Sequence, residues 1–330
     1  MTSTSPSELA ARPTAGAIAL RLVRRLGTAV TVLLGAVTVA FFAQTALPGD
    51  RATAILNIRA GNVEARTPEE LAAITEEFGL DRPLVVQFLD YLTGLVRGDF
   101  GTSYQQFRPV TEIIGEQLGA TVALSLSAIA LAWVLMVAWI TLTAGRSRTV
   151  SAVGSIVDVT AAALPPYWLG IILLLVFALG LRWFPVIGGT GIAGLVLPAF
   201  TLAIPLAGFL AQATRTEYER VLDQPFVLSA RTRGQGDLGV RLGHVLRHAV
   251  LPAITLTGWA LGATLSGAVV VESIFSRPGI GDVLVDSVNA HDLPVVVGIV
   301  VLTAGFYVLA NLLVDVAYTI VDPRLKGATA

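Results

Sequence analysis

Cysteine is absent from this sequence, and Lys326 is its only lysine. Without cysteine the chain can form no disulfide, no thiolate metal site and no cysteine nucleophile. A phosphate-binding loop needs a lysine directly after its glycine-rich turn, and Lys326 lies in the C-terminal tail, outside any such motif. We therefore expect this chain to bind no nucleotide or other cofactor of its own. Any use of ATP would require another subunit.

Histidine is also scarce, with three residues in 330. His244 and His248 stand four positions apart and could share one face of a helix. No third ligand accompanies them, so the sequence favours polar loop positions over a metal site. No metal ligands are predicted.

Charged residues make up only 14% of the chain, against 54% hydrophobic residues, and the formal net charge is −1. This composition predicts an integral membrane protein and gives no general attraction to nucleic acid. Each long apolar run approaches or exceeds the roughly 20 residues that a membrane helix needs. We predict an all-α membrane protein with six transmembrane helices, at about 26–49, 117–145, 149–181, 195–214, 253–271 and 294–318. The first run could instead be a cleaved signal peptide, but its apolar core would be unusually long for one.

These runs divide the chain and orient it. Six spans place both termini on one side of the membrane, and the short loops on that side carry most of the positive charge. The predicted inner positive residues number 14, against Arg182 and Arg277 in the short outer loops: Arg12, Arg21, Arg24, Arg25, Arg146, Arg148, Arg215, Arg220, Arg231, Arg233, Arg241, Arg247, Arg324 and Lys326. This asymmetry predicts cytoplasmic termini. The predicted segments are a mobile cytoplasmic tail at 1–20, the first span within 21–49, a small helical external domain at 50–118, a core at 119–321 and a second cytoplasmic tail at 322–330.

The predicted external domain carries a helix-start pattern. Thr67-Pro68-Glu69-Glu70 offers threonine as N-cap, proline at the first helical position and glutamate at the third. Leu84 to Val96 follows as a second amphipathic helix. We expect this domain to rest on the membrane segments.

The interval from 215 to 250 is the long polar interruption in the second half of the chain. Apolar residues recur at helical spacing on both sides of Gly234, which predicts a helix, a glycine turn and a second helix. Such a hairpin would lie along the cytoplasmic membrane face and present a surface to a partner.

Several motifs follow one another along the chain: Leu47-Pro48-Gly49-Asp50, the stretch 67–92, Arg97-Gly98-Asp99-Phe100-Gly101, Leu228-Ser229-Ala230 with Gly234, Glu272-Ser273-Ile274-Phe275-Ser276-Arg277-Pro278-Gly279-Ile280-Gly281, Asp292-x-Pro294-Val295, Asn311-Leu312-x-x-Asp315-x-x-Tyr318 and Asp322-Pro323-Arg324. In this order they resemble the motifs of the permeases of binding-protein-dependent ABC importers, and among these the peptide/nickel type. Leu228-Ser229-Ala230 with Gly234 is similar to that family's EAA loop, although Leu228 and Ser229 depart from its first two letters. Arg51 stands where a proline is expected after Asp50.

The resemblance implies a type I ABC importer permease fold in a bacterial inner membrane. It also implies a homologous second permease subunit, two ATPase subunits that bind ATP and Mg, and an external solute-binding protein. The chain itself would perform no covalent chemistry. It would form half of a translocation pathway for short peptides, with nickel or another small solute as the alternative.

Three groups of candidate site residues follow. The ATPase-coupling surface is assigned to Phe226, Leu228, Ser229, Ala230, Arg231, Arg233 and Gly234. An external loop at 272–293, with a tight re-entrant turn, contains Glu272, Phe275, Pro278, Gly279 and Gly281, which could form an outer gate that contacts the binding protein or simply a well-packed turn. The intramembrane polar residues are Asp158, Asn311 and Asp315.

The roles of the intramembrane carboxylates and of Glu272 stay open at this point. Burying a carboxylate inside a membrane costs free energy, so such residues are usually paired or functional. Asp158 and Asp315 lie near a membrane interface with arginines within reach, which favours an ion pair or helix cap over a role in translocation. Glu272 could hold the following turn through backbone amides, or line the pathway.

Two other classes of function compete with the permease reading. A self-sufficient channel or proton-coupled carrier would need an ionisable relay at mid-membrane or broken-helix repeats. An intramembrane enzyme would need a catalytic motif such as His-Glu-x-x-His or Gly-x-Ser-x-Gly, and the sequence has neither.

Overall fold

The computed structural model describes residues 15–45, 50–61, 66–186, 191–290 and 292–321. Within these ranges the side chains at 15–23, 25–26, 44 and 310–321 are not described. The described part is built from helices and has no β-strand, only an isolated bridge between Thr102 and Pro109. The predicted all-α class is confirmed.

The helices vary from single turns to lengths that cross a bilayer. In chain order they are α1 Ala15–Thr45, α2 Arg51–Ala60, α3 Pro68–Glu77, α4 Leu84–Val96, α5 Val110–Thr143, α6 Arg148–Ala163, α7 Pro166–Leu173, α8 Ala193–Leu222, α9 Pro225–Thr232, α10 Asp237–Val240, α11 Leu246–Ala249, α12 Leu251–Ile274, α13 Ile280–Asn289 and α14 Leu293–Val321. Two π-helical segments, Leu174–Gly180 and Arg241–Val245, continue α7 and join α10 to α11.

Several of these helices are apolar enough to lie in a membrane. α5, α8 and α12 each have the length and hydropathy to span it, and they correspond to the second, fourth and fifth predicted spans. α1 and α14 contribute shorter apolar stretches among the described residues, Gly27–Ala43 and Leu293–Leu309. α1 begins at Ala15, within the segment 1–20 that the sequence analysis assigned to the tail. Residues 1–14 and 322–330 lie outside the described residues.

The third predicted span is broken. α6 and the α7 segment meet at an angle of 98°, so the expectation of one continuous helix over 149–181 was wrong. Leu164 and Pro165 have extended backbones at the bend. A proline disfavours helical geometry at the residue before it, and here Pro165 and Pro166 act on two successive positions. Pro166 then starts α7, where its missing N–H costs nothing.

The predicted helices of residues 50–118 are present. Thr67 caps α3 as a capping box: its hydroxyl accepts from the Glu70 amide at 3.3 Å, and the Glu70 carboxylate accepts from the Thr67 amide at 2.9 Å. α4 has the predicted bounds. α2 and α3 pack through Ala52, Ile55 and Ile74.

Close helix contacts surround α8 in the core. A Cβ added at Gly208 would lie 2.5 Å from the Ala162 amide nitrogen and 2.7 Å from the Asp158 carbonyl oxygen. Glycine therefore lets the backbones of α6 and α8 approach each other, as small residues do at membrane helix crossings.

The external interval 272–293 is more regular than expected. After a turn at 275–279, α13 occupies most of it. The expectation of an irregular re-entrant loop was wrong beyond that turn, because Gly279 leads directly into the amphipathic helix of α13.

Candidate functional site

The predicted helix–glycine–helix arrangement of the interval 215–250 is present, with α9 before Gly234 and α10 after it. α9 turns two side chains inward, since Val227 and Ala230 are fully buried. Its outer face carries Leu228, which is 65% exposed, and Phe226, which is 40% exposed. Ser229, Arg231 and Arg233 are exposed as well. The assignment of Ala230 to the surface was therefore wrong: three-residue spacing from Val227 places it on the inner face.

Gly234 forms the turn after α9 in the left-handed region, with φ of 84°. Its amide donates to the Arg231 carbonyl at 2.9 Å. A Cβ added at Gly234 would meet no atom of the chain within 4 Å. Within this chain, the requirement for glycine is therefore conformational and not a matter of space.

Asp237 follows this turn and gathers three arginines, a feature that the sequence analysis missed. Its carboxylate lies 2.9 Å from both Arg146 and Arg241, and 3.4 Å from Arg231. Partial burial alone would raise the pKa of Asp237, but the charges of the three arginines hold this pKa below its ordinary value. The pairing of Asp237 with Arg241 could have been found from their spacing of four residues on a helix.

Arg241 is the largest fully buried side chain of the described residues, only 2% exposed. Its guanidinium donates to the carbonyl oxygens of Ala144 at 2.7 Å and Thr141 at 3.3 Å, as well as to Asp237. Those carbonyls end α5, where no further turn of helix is present to satisfy them. Arg241 thus joins the hairpin around Gly234 to the end of α5. Sequence analysis treated it only as one positive charge among many.

In the core of the helix bundle, Asp158 forms a buried ion pair with Arg215 of α8, with 2.5 Å between oxygen and nitrogen. Arg215 also donates to the Thr143 hydroxyl at 2.9 Å. This is the ion-pair alternative that the sequence favoured for Asp158. Asn311 and Asp315 lie on α14, but their side chains are outside the described part of the chain.

Glu272 is fully buried near the C-terminal end of α12. Its carboxylate accepts from the Thr121 hydroxyl at 2.7 Å and from the Gly281 amide at 2.8 Å, and the Thr121 hydroxyl accepts from the Ile280 amide at 2.9 Å. A Cβ added at Gly279 would lie 2.1 Å from the Glu272 carboxyl carbon. The motif therefore folds the turn around a carboxylate, the arrangement expected for Glu272 in a packed loop.

Most of the five external candidates cannot contact a partner. Glu272, Phe275, Gly279 and Gly281 are buried within the chain, and only Pro278 is exposed. Of the two alternatives left open for this turn, burial favours the well-packed turn: Glu272 contacts Gly279 and Gly281, and Phe275 packs close to Gly170 of α7. Beside them lies an open cleft of about 520 Å³ lined by Gln105, Gln106, Val283, Asp286, Ser287, Asn289 and Ala290.

A second buried carboxylate fixes the approach to this cleft. Asp292 accepts from the Ser103 hydroxyl and from the amides of Tyr104 at 3.1 Å and Gln105 at 3.3 Å. It thereby joins the segment before α5 to the start of α14. Sequence analysis saw Asp292 only as part of a motif.

The histidines of the hairpin have other contacts. His244 shares a hydrogen bond with Gln235 at 2.7 Å, and the His248 ring packs against Phe226. Among the residues that the structure describes, no group of three or more histidines and carboxylates is placed to hold a metal ion.

Comparison with known proteins identifies this arrangement. Residues 135–327 match the family model of the binding-protein-dependent transport system inner membrane component. The chain belongs to this family. Residues 19–125 match the N-terminal model of such membrane components. The broken helix, the hairpin around Gly234 and the turn at 275–279 are thus parts of an inner-membrane permease of a binding-protein-dependent importer, a transport subunit and not a catalytic enzyme.

Named relatives cover nearly the whole permease. A glutathione transport system permease protein of Salmonella choleraesuis is 36% identical over 306 residues, which is 92% of this chain and 98% of that protein. A probable peptide ABC transporter permease protein of Sinorhizobium fredii and a putative peptide transport system permease protein of Brucella abortus are each 33% identical, with the same coverage of both chains.

Proposed function

We propose that this permease forms half of the translocation pathway of an ATP-driven importer for short peptides. The relatives are named for peptide and glutathione transport, which supports a peptide-type solute, since glutathione is itself a tripeptide. They do not favour nickel. A second homologous permease would supply the other half of the pathway, and an external binding protein would deliver the solute.

The observation that carries the proposal is the outward face of α9. Phe226 and Leu228 are large apolar side chains exposed at the end of a helix, flanked by Arg231 and Arg233. A helix of this kind fits a groove in a partner protein. We assign that partner as an ATPase subunit, one of two, which binds ATP and Mg while this chain binds neither.

On the external side, the exposed residues of α13 and Pro278 are the ones available to a binding protein. Asp286, Val288 and Asn289 are exposed there, beside the cleft that Gln105 and Gln106 help to line. Burial, and then the charge of Asp286, raise the pKa of neighbouring Asp282. This face is polar and acidic, so a complementary partner surface would offer hydrogen-bond donors or positive charge.

Six spans would cross the membrane, with the α6–α7 segment as the bent third span and α2–α4 in a small external domain. ATP binding would close the ATPase pair, and the hairpins of the two permeases would move with it. The transmembrane helices would then change from an inward-open to an outward-open arrangement.

Transport by a defined complex tests the proposal. This chain, the second permease, the ATPase subunits and the binding protein of its system would be reconstituted in liposomes, and uptake of a labelled short peptide measured with and without ATP. We expect ATP-dependent uptake from the complete complex and no ATP hydrolysis by this chain alone. Uptake by this chain alone, without ATPase subunits, would support the channel or carrier alternative instead.

A further inference from the structure

We propose that Arg241 makes the coupling hairpin and the cytoplasmic end of α5 one rigid body, so that movement of the ATPase at α9 reaches the pathway through α5. The inference rests on the proposed function and assigns Arg241 as a positioning residue. It acts through the carbonyls of α5 and through Asp237, and it touches neither solute nor ATP.

The contacts of Arg241 leave it little freedom. The guanidinium is buried, and it donates at once to Asp237 on its own segment and to the carbonyls of Ala144 and Thr141 on α5. The planar guanidinium has donors that point in fixed directions, so two rigid acceptor groups held by it are also held relative to each other. Tyr218 of α8 donates to the backbone carbonyl of Arg241 at 3.3 Å, which fixes the main chain as well.

Asp237 extends the connection to the exposed surface. Arg231 in the last turn of α9 approaches this carboxylate, and Arg146 in the turn after α5 pairs with it from the other side. The coupling face and the end of α5 are therefore joined through one carboxylate and one buried guanidinium. The contacts of buried Arg241 are charge-assisted and stronger than neutral hydrogen bonds, whereas the exposed pairs of Asp237 with Arg231 and Arg146 contribute less.

α5 can carry this movement to the other side because it is long enough to cross the whole membrane. Its cytoplasmic end receives Arg241, and near its external end Thr121 contacts the Glu272 carboxylate and the start of α13. Displacement of the hairpin would thus be felt along one continuous helix. If the hairpin could slide over α5, the ATPase could still bind α9 while its movement was lost.

A distance measurement tests the rigid body directly. Because the chain has no cysteine of its own, spin labels would attach only at the introduced cysteines. Spin labels would be attached to Thr232→Cys on α9, an exposed position outside the assigned coupling residues, and to Leu142→Cys on α5, which is also exposed. Pulsed electron resonance would give the distance between the labels in the reconstituted complex, without nucleotide and with ATP trapped. With Arg241 present we expect the same narrow distance in both states.

Substitution then separates positioning from assembly. In Arg241→Gln we expect a broader distance that changes with nucleotide, an ATPase that still co-purifies, and about tenfold less peptide taken up per ATP hydrolysed. Arg241→Lys keeps the charge but not the planar fork, so its defect should be intermediate. Arg247→Gln, an exposed arginine in the same hairpin, is the matched control and should leave distance and uptake unchanged.

The outcomes distinguish this inference from the proposed function. A label distance that changes with nucleotide while Arg241 is present would overturn the rigid body even if uptake were normal. An unchanged distance in Arg241→Gln would overturn it too. If Arg241→Gln does not accumulate, Asp237→Asn at the exposed side of the same contacts replaces it, and an unchanged distance and uptake there would count against the proposal. Complete absence of ATP-dependent uptake from the unsubstituted complex would instead reject the proposed function.

Discussion

The Glu272 carboxylate accepts a hydrogen bond from the Gly281 amide at 2.8 Å, across a turn that returns the chain to the external end of its own helix. Because Glu272 also accepts from Thr121 of α5, one buried carboxylate connects α12, α5 and the start of α13. An amide at a helix start is a favourable partner for a carboxylate. The turn at 275–279 thus folds around the carboxylate of Glu272.

Gly279→Ala should disrupt this turn. The added methyl group would lie 2.1 Å from the carboxyl carbon of Glu272, which is too close for any packed pair of atoms. Overpacking of this kind costs about 1–3 kcal/mol. Thermal unfolding of the detergent-purified protein measures the loss. Gly115→Ala on α5 is the control, because a Cβ there meets nothing within 4 Å; equal stability of the two variants would show that the turn yields freely.

Asp158→Asn should destabilise the protein, not only slow transport. The substitution leaves Arg215 buried beside a neutral partner, and loss of one member of a buried pair costs about 3–5 kcal/mol. The double variant Asp158→Leu, Arg215→Met removes both charges and should recover much of the stability. Thermal unfolding and uptake are measured together, with exposed Asp223→Asn as the control.

That comparison decides between the two roles considered for Asp158. An ion-pair role predicts low stability in the single variant and recovery in the double variant. Full stability of Asp158→Asn with lost uptake would assign the carboxylate to translocation instead.

Reporter fusions test the orientation. A reporter fused after Arg233 should be cytoplasmic and one near Asn62 external, because the tails and loops on the predicted inner side hold 14 positive residues, against two in the short outer loops. Paired fusions of an enzyme active only outside the membrane and one active only inside give opposite signals at the two positions. Both reporters on the same side would contradict the six-span arrangement.

Local patterns predicted most of the fold. The capping box at Thr67, the bounds of α4 and the turn at Gly234 each depend on neighbouring residues, so the sequence indicated them correctly. The sharp bend at Pro165 was missed because the hydropathy continues through it. A proline pair marks a possible break, but the angle depends on how the following segment packs.

Contacts between residues that lie far apart in the sequence could not be predicted from it. Arg241 reads as a surface charge in a basic loop, and only the tertiary structure places it under the end of α5. Ala230 and Val227 likewise needed the position of the neighbouring helices to show which face of α9 is free. The motif containing Glu272 was visible, but its buried geometry was not.

Asp237 should contribute the same stability throughout the neutral range. Its folded pKa lies below the ordinary 3.8, so its contribution is fully present above that value and is lost only as pH falls through the lower folded pKa. The difference in melting temperature between the natural protein and Asp237→Asn should therefore be constant from about pH 8 to about pH 5. A difference that shrinks over this range would mean that the three arginines do not lower the pKa.

Gly234→Asp should abolish transport while the protein still inserts in the membrane. With φ of 84°, any side chain at this position meets strain of roughly 1–2 kcal/mol, which a chain held by several membrane helices can tolerate. The new carboxylate would also stand beside the outward face of α9, where burial against an ATPase would remove it from water.

Gly234→Ala carries the strain without the charge and should show a smaller defect. Gly236→Ala is the matched control, since its backbone is extended and a Cβ there meets nothing within 4 Å. Peptide uptake and co-purification of the ATPase are measured on the same membranes. Normal uptake by Gly234→Asp with the ATPase bound would remove this turn from the coupling surface, because a buried uncompensated charge at a working contact cannot be silent.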